Sequence, residues 1–424
     1  MLQDERVVAG DAAAAYLQAE LTPIVTAGSP ATLTVRLVRP DAAGPTMAAT
    51  ATGRDARAAG GAGPSGQVTV TVVPRGLRFL VGARRSRQLR LPPTGSAEAR
   101  FTLLAADRGP AEVIVLVRGV GELPLATVRL TSEVVDSDDH DQAGVARATA
   151  RMAPADRVLA SRPTLRIDEE IARGRSILHA AISVGGEHHR FRVRLHDKAR
   201  LVGEVRAALV RAKDAGAGLP DAERARAVER GLREVGARLA ARVLDRRARE
   251  LLWAHRDELD GLVVQTTGET ELPWELVVVC CPGSDPTDAD SFLGQYGLTR
   301  WLYDVAPPSA VRLSTTDAAH ARTTTAIASA SVVALGSGTG GAPDGGALDA
   351  MRNGAGVVVE CGGSGGRSTL SERFLATFSA ELAGGTPVDR ASRRAREVAR
   401  AAGEACALAY AVYGHPDARA SQAA

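Results

Sequence analysis

The sequence predicts an all-β sandwich over residues 1–135, a linker over residues 136–163, and an α/β region over residues 164–424. Three observations support this division. The first third is a series of short alternating or β-branched runs separated by Gly and Pro. The middle segment is an acidic stretch followed by small residues and two prolines. The remainder alternates apolar runs with helical patterns, which is typical of a mostly parallel sheet flanked by helices.

The strand-rich first region has a regular spacing that favours a two-sheet sandwich. Its predicted strands alternate apolar with polar residues or contain β-branched residues. They are Ala31–Val38, Gln67–Val73, Leu77–Val81, Glu98–Ala105, Ala111–Val117 and Pro124–Val135. No His or Cys occurs before His140, so the region is predicted to be a binding or scaffolding module.

The second region begins with a predicted hairpin, in which Ser176–Val184 and His189–Leu195 flank Gly185–Gly186. A helix follows, because Leu232, Val235, Leu239 and Val243 recur at helical spacing. The predicted strands after it are Gly261–Gln265, Ser331–Leu335, Gly356–Glu360 and Ala407–Gly414, and the predicted helices lie in Ser371–Gly385 and Val388–Gly403.

Composition limits the possible partners and the compartment. The chain has 424 residues, a formal net charge of +3 and only 3% aromatic residues, which argues against nucleic acid as a partner. Its apolar runs are too short to cross a membrane, and its charged start, MLQDERVV, does not resemble a signal peptide. Cysteines 280, 281, 361 and 406 show no paired spacing, so we expect reduced thiols and a cytoplasmic protein.

A glycine-rich loop suggests one possible site. SVVALGSGTGG contains G-x-G-x-x-G at Gly336, Gly338 and Gly341, and Glu360 ends the next apolar run. This outline fits a dinucleotide-binding turn. However, Pro343 lies where the helix facing the pyrophosphate should begin. A nucleotide-binding regulator using Gly336–Gly341 therefore stays an alternative, and no cofactor is the leading expectation.

Several separated motifs point to one family. They are ETELPWELV (Glu269–Val277), FLGQYGLTRWLYDVAPP (Phe292–Pro308), GGALDAMRNGAGVVVE (Gly345–Glu360), FLATFSAELAGGTPVDRASRRAREVAR (Phe374–Arg400) and AYAVYGHP (Ala409–Pro416). Together they resemble the CHAT domain, a caspase-like α/β fold found in bacterial conflict and signalling operons. The resemblance covers roughly residues 163–418. It implies structural roles for Pro273, Trp274 and Glu275, and for Tyr413 and Gly414.

Active members of this family resemble caspases as cysteine endopeptidases. They carry a His at the end of one central strand, in a pattern like H-F-x-C-H-G, and the nucleophilic Cys after the next strand, in a pattern like A-C-x-S/A-G. When GGALDAMRNGAG is matched to the segment after the Cys loop, Ser337 or Gly338 stands at the thiol position. The strand that would bring the His is then missing. A serine without its base is a very weak nucleophile.

A second alignment instead places VVVECGGSGG (Val357–Gly366) on the family's Cys loop. Cys361 is then the nucleophile, and His320 is the one nearby upstream histidine. The chemistry requires both groups, because the imidazole assists the thiolate and protonates the leaving group.

The resemblance therefore implies a catalytically inactive, pseudo-caspase scaffold or sensor subunit in a bacterial defence or signalling system. Its expected partners are proteins of the same operon, such as an active CHAT peptidase or an NTPase. The alternative is an active cysteine endopeptidase that uses Cys361 with His320. No metal site is expected, because the His188–His189 pair has no second cluster at ligand spacing.

Overall fold

The computed structural model describes residues 15–39, 66–106, 108–119, 124–136, 144–152, 161–172, 175–215, 218–266, 271–302, 308–312, 332–335, 347, 350–351, 355–361 and 370–420. The chain divides into two compact units. The first contains residues 1–160 and 170–173, and the second contains residues 161–169 and 174–424. A strand-rich N-terminal region thus precedes a region of mixed α/β content.

The described strands of the first unit form two sheets. Its strands are β1 Tyr16–Leu21, β2 Ile24–Thr26, β3 Pro30–Arg39, β4 Gly66–Arg75, β5 Leu77–Phe79, β6 Ser86–Leu91, β7 Gly95–Ala105, β8 Gly109–Arg118, β9 Pro124–Val135 and β10 Ala146–Arg151. One sheet has the order β10-β1-β3-β7-β5, and the other has the order β6-β4-β8-β9-β2. All of these neighbours are antiparallel except β2 and β9.

Alternation along the strands builds the core of this unit. In β3, Leu33, Val35 and Leu37 are fully buried, while the residues between them are partly or fully exposed. They share one apolar cluster with the inward side chains of β4, such as Val68 and Val70. Each such Val or Leu contributes about 1.5–3 kcal/mol on burial, so the period-2 pattern determines which face of each sheet is inside.

The linker predicted over residues 136–163 needs correction at β10. This strand pairs with β1 in register from Tyr16–Arg151 to Leu21–Ala146. Its sequence, ARATAR, has alanine at the positions that pack against the core. Alanine lacks the β-branching that marks a strand in a sequence, so composition alone concealed the alternation.

The described residues of the second unit form five α-helices and twelve strands. The helices are α1 Lys198–Ala215, α2 Asp221–Val243, α3 Arg246–Ala254, α4 Glu372–Ala383 and α5 Val388–Ala401. The strands are β11 Thr164–Ala172, β12 Arg175–Val184, β13 Glu187–Leu195, β14 Val263–Thr266, β15 Val278–Val279, β16 Ser291–Phe292, β17 Thr299–Leu302, β18 Ala310–Val311, β19 Val332–Leu335, β20 Val357–Cys361, β21 Tyr410–Gly414 and β22 Arg419–Ala420. Short 3-10 helices span Arg256–Glu258, Trp274–Leu276, Leu293–Tyr296 and Ala405–Ala409.

The main sheet of this unit has the order β19-β20-β21-β17-β14-β11-β12-β13. Four neighbouring pairs are parallel: β11 with β14, β14 with β17, β17 with β21, and β19 with β20. The pairs β20–β21 and β12–β13 are antiparallel. As a result, β19 and β20 run opposite to β14 and β17, and β19 lies at the end of the described sheet.

Amphipathic helices cover this sheet. The helix predicted from Leu232, Val235, Leu239 and Val243 is confirmed as α2, and all four side chains are buried. Polar side chains cap the N-termini of α3 and α4. Asp245 accepts the Ala248 N–H before α3, and Ser371 accepts the Phe374 N–H before α4.

Candidate functional site

The carboxyl ends of β19 and β20 lie side by side. These strands pair in parallel, with Val332 opposite Val357 and Leu335 opposite Glu360. β19 therefore ends where the Gly336–Gly341 loop begins, and β20 ends at Cys361. Ligands and catalytic groups of α/β sheets gather at such carboxyl ends. This end of the β19–β20 pair is the candidate site.

The two sequence alignments placed either Ser331–Leu335 or Gly356–Glu360 on a single Cys strand. The structure contains both strands, as neighbours. Ser337 and Gly338 follow β19 but lie outside the described residues, as does His320. The backbone of Cys361 is described, and Cys361 is the last residue of β20.

No described histidine lies at the carboxyl end of β20. His415 follows β21, which is antiparallel to β20 with Gly414 opposite Val357 and Tyr410 opposite Cys361. At ~3.3 Å per residue, His415 is more than ~13 Å along the sheet from Cys361. The remaining described histidines are on or beside the β12–β13 hairpin and α3: His179, His188, His189, His196 and His255.

The LPWEL motif contributes a buried ion pair next to this sheet. Glu275 lies in the 3-10 helix Trp274–Leu276 and is fully buried, and Trp274 is 1% exposed. Arg300 of β17 donates from Nε to Glu275 Oε1 at 2.8 Å and from Nη2 to Oε2 at 2.6 Å. Its Nη2 also donates to the Leu272 carbonyl at 2.9 Å. Pro273 precedes this turn as its N-cap residue.

Tyr413 completes the same cluster from β21. Arg300 Nη1 donates to the Tyr413 hydroxyl at 3.1 Å, and the guanidinium carbon lies 5.4 Å from the Tyr413 ring centroid. A Cβ atom on the neighbouring Gly414 would lie 3.1 Å from Val357 Cγ2. Glu275 and Tyr413 therefore both bond to Arg300, a residue that the sequence argument did not select, while Gly414 packs against Val357. The sequence feature that could have identified Arg300 is a charged residue inside the apolar run LTRWL.

A second buried arginine joins α5 to the sheet. Arg396 donates from Nη1 to the Gly294 carbonyl at 3.0 Å and from Nη2 to the Tyr410 carbonyl at 2.7 Å. Burial lowers the pKa of Arg396 to about 10, and this effect is larger than those of the nearby Glu275 and Arg300 charges. The guanidinium is still protonated at neutral pH, so it holds both carbonyl groups with charge-assisted bonds.

The terminal YGHP motif and the two residues after it bind the N-terminus of α5. The Val388 N–H donates to the Ala418 carbonyl and the Asp389 N–H donates to the Pro416 carbonyl, both at 3.0 Å. His415 Nδ1 accepts the Asp417 N–H at 3.1 Å, and its ring lies 5.1 Å from the Trp301 ring. The motif thus satisfies backbone groups that a helix start leaves unpaired.

Another buried polar cluster lies at the start of α1. Lys198 donates to both carboxylate oxygens of Glu169 at 2.9 and 3.1 Å, and Ser176 donates to the same carboxylate at 2.5 Å. Glu169 is 1% exposed. All of these groups satisfy one another, so the cluster is explained as a structural contact.

The other cysteines differ from an activated nucleophile. Cys280, Cys281 and Cys406 form no disulfide bond within the described residues. Burial raises the pKa of the Cys280 thiol, which reduces its thiolate fraction. Among the described residues, no three or more His, Cys, Asp or Glu side chains are arranged to hold a metal ion. No helix in the described part of the chain has the length and apolar character needed to cross a membrane.

Comparison with known proteins gives a match in the N-terminal region. A family model described as a domain of unknown function (DUF7363) matches residues 19–130. This match falls within the first unit and runs from β1 into β9. No curated protein matches the chain.

Proposed function

We propose that the second unit is a caspase-like domain of the CHAT type without peptidase activity. Together with a β-sandwich module, it acts as a scaffold or sensor subunit of a bacterial defence or signalling complex. The observation that carries the proposal is the parallel pairing of β19 with β20, which brings two consecutive strand ends together. The family resemblance assigns the histidine and the cysteine to two such consecutive strands.

This pairing favours a revised assignment of the motif positions. Cys361 ends the second strand of the pair and takes the position of the thiol. Ser337, two residues beyond the end of β19, then takes the position of the histidine rather than that of the thiol. A serine hydroxyl is a poor proton acceptor near neutral pH, so it does not activate a neighbouring thiol.

The first experiment measures activity in the assembled state. The purified full chain, alone and with the products of neighbouring genes, is incubated with a peptide library and with a thiol-reactive caspase-type probe. We expect no cleavage and no selective labelling of Cys361, together with stable association with at least one neighbouring product. Cleavage that a Cys361→Ala substitution abolishes would overturn the proposal.

The second candidate is an active cysteine endopeptidase in which His320 serves Cys361. The observation that favours it is the position of Cys361 at the carboxyl end of a sheet strand. This candidate predicts that Cys361→Ala and His320→Ala each abolish cleavage while the melting temperature is unchanged. Retained cleavage in the His320→Ala variant would exclude this pair.

A further inference from the structure

The connection between β5 and β6 carries two adjacent apolar side chains that face solvent. Leu80 is 41% exposed and Val81 is 105% exposed. The other large apolar side chains exposed among the described residues, Val145 and Val210, each stand alone. Single exposed apolar residues are common and need no explanation, whereas a contiguous pair that leaves the surface together favours an interaction site.

A hydrogen-bonded turn holds these two side chains outward. The Ala83 N–H donates to the Leu80 carbonyl at 2.9 Å. Gly82 has a φ of +83°, the left-handed value that the third residue of a type II turn requires. Val81 is therefore the second residue of the turn and lies at its apex.

The Leu80–Ala83 tip is fixed to a sheet on each side. Before the tip, β5 pairs with β7 in one sheet as far as Phe79 and Leu103. After the tip, the Val72 N–H of β4 in the other sheet donates to the Arg85 carbonyl at 2.9 Å. The exposure of the apolar pair is therefore a property of a held turn.

Arginines flank this tip in a segment without acids. Residues 74–97 contain six arginines and neither Asp nor Glu. Three of them, Arg78, Arg84 and Arg87, form no ion pair with a carboxylate of the described residues. Arg78 is half-buried and the other two are exposed. The guanidinium carbon of Arg87 lies 5.6 Å from the centroid of the Phe101 ring, and β4, which pairs with β6, carries no acid. The tip is thus both apolar and positively charged.

We propose that this tip docks on the anionic surface of a membrane. Leu80 and Val81 enter the boundary between the headgroups and the acyl chains, while Arg78, Arg84 and Arg87 stay at the level of the lipid phosphates. Apolar burial and the attraction of basic side chains to anionic lipids are each weak alone, and surface binding needs both together. This inference goes beyond the proposed function, since it concerns where the chain is held, and it does not depend on whether Cys361 is reactive.

A lipid surface fits this tip better than other anionic partners do. Stacking on nucleic acid bases uses exposed aromatic side chains, and the aromatic residues beside the tip, Phe79 and Phe101, pack in the apolar core. A protein partner would need a pocket shaped to the projecting turn and acids placed opposite individual arginines. A fluid lipid surface requires neither, because it adapts to a projecting apolar group and presents a diffuse negative charge.

The first test is co-sedimentation of the purified full chain with lipid vesicles. Vesicles of phosphatidylglycerol and phosphatidylcholine in equal parts should bind the chain, and added salt should weaken this binding. Vesicles of phosphatidylcholine alone should bind it roughly tenfold more weakly or less. Equal binding to both kinds of vesicle, or none to either, would overturn the proposal. Tighter binding to duplex DNA than to the anionic vesicles would also overturn it, with nucleic acid as the occupant.

The apolar contribution is tested by the double change Leu80→Ser and Val81→Ser. It should weaken binding to the anionic vesicles roughly tenfold or more. The matched change Val145→Ser and Val210→Ser removes two exposed valines elsewhere and should leave binding unchanged. The melting temperature of each variant shows whether it is folded. Binding that survives the change at the tip would reduce the effect to charge attraction and contradict insertion.

The basic contribution is tested by the double change Arg84→Gln and Arg87→Gln. It should weaken binding to the anionic vesicles roughly tenfold and reduce its dependence on salt. The matched change Arg238→Gln and Arg242→Gln, on the exposed face of α2, removes the same charge and should have little effect. Equal losses in the two variants would show a response to net charge alone and overturn the assignment of the site.

Insertion itself is measured with a tryptophan at the apex of the turn. In the Val81→Trp variant, anionic vesicles with brominated acyl chains should quench the fluorescence more than they quench that of the unchanged protein. Val145→Trp is the control and should show no additional quenching. Equal quenching of the two variants would contradict the insertion of the tip.

Discussion

Glu275 and Arg300 form a two-bond ion pair in the interior of the second unit, with N–O distances of 2.8 and 2.6 Å. Glu275 is fully buried and Arg300 is 4% exposed. The pair links the LPWEL turn to the sheet strand β17, and Arg300 continues the network to Tyr413. Because neither charge has access to bulk water, each depends on the other for its solvation.

Removing one member of this pair should destabilise the protein strongly. We expect Glu275→Ala to lower the free energy of unfolding by about 3–5 kcal/mol, since Arg300 is left as an unpaired buried charge. Urea unfolding measures this change. The control is Glu250→Ala, which breaks the exposed Arg246–Glu250 pair and should cost less than about 0.5 kcal/mol.

The double variant Glu275→Leu/Arg300→Met sharpens this prediction. It removes both charges together, so it should be more stable than Glu275→Leu alone. A double variant whose loss equals the sum of the two single losses would show that the residues do not interact.

Two glycine-to-alanine changes in helices should have opposite signs. A Cβ on Gly236 of α2 would lie 2.1 Å from the Leu276 carbonyl oxygen and 2.7 Å from Val278 Cγ2, so the helix must move away from the LPWEL turn. We expect Gly236→Ala to destabilise by about 1–3 kcal/mol. Gly203→Ala in α1 meets no atom within 4 Å and should stabilise by about 1 kcal/mol. Thermal unfolding measures both, and equal signs would contradict the close approach.

His255 should make the stability of the hairpin contact depend on pH. Its Nδ1 lies 2.9 Å from Glu258 Oε1 and its Nε2 lies 3.1 Å from Glu187 Oε1, and Arg247 also pairs with Glu187. Hydrogen bonds to Glu258 and Glu187 raise the pKa of His255. The protonated ring therefore contributes stability that is fully present below its unfolded pKa of about 6.5 and is lost as pH rises through the folded pKa.

The measurement for this prediction is the melting temperature between about pH 6 and about pH 9. It should fall with rising pH, and His255→Gln should flatten the fall, whereas His196→Gln, at an exposed histidine, should not. An NMR titration of the His255 ring that gives a pKa below the ordinary histidine value would contradict the assignment.

A gain-of-reactivity variant tests the revised motif assignment. If Ser337 occupies the histidine position, Ser337→His should supply a base to Cys361 and raise its labelling by a caspase-type probe roughly tenfold or more. Ser331→His, just before β19, is the matched control. Similar labelling of both variants would show that the end of β19 does not face Cys361.

Most strands of the first unit could be predicted from the sequence, because the residue patterns that indicate them are local. The predicted strand Pro124–Val135 coincides with β9, and Ala31–Val38 lies within β3, since β-branched residues alternate with polar ones in both. Strands β1, β2, β6 and β10 were missed. In β10, arginine and alanine alternate, and neither residue type favours a strand by itself.

The candidate site was harder to predict from the sequence because it depends on pairing between distant segments. Arg300 meets Glu275 across 25 positions of sequence, and β19 meets β20 across a connection that includes helical residues such as Met351. No local pattern encodes which strand becomes the neighbour of another. The sequence therefore could not decide between the two alignments of the Cys loop, although the two strands concerned, β19 and β20, are adjacent in the fold.

The place of β21 has a consequence for synthesis of the protein. This strand lies between β17 and β20 in the sheet, yet it follows both of them in the chain. During synthesis, β17 and β20 therefore cannot be joined into one sheet until residues 410–414 have emerged from the ribosomal exit tunnel. Until then, the edge of β17 and the edge of β20 that later pair with β21 have no partner strand. Unpaired strand edges favour aggregation, so we expect chaperone protection to matter at this stage of translation.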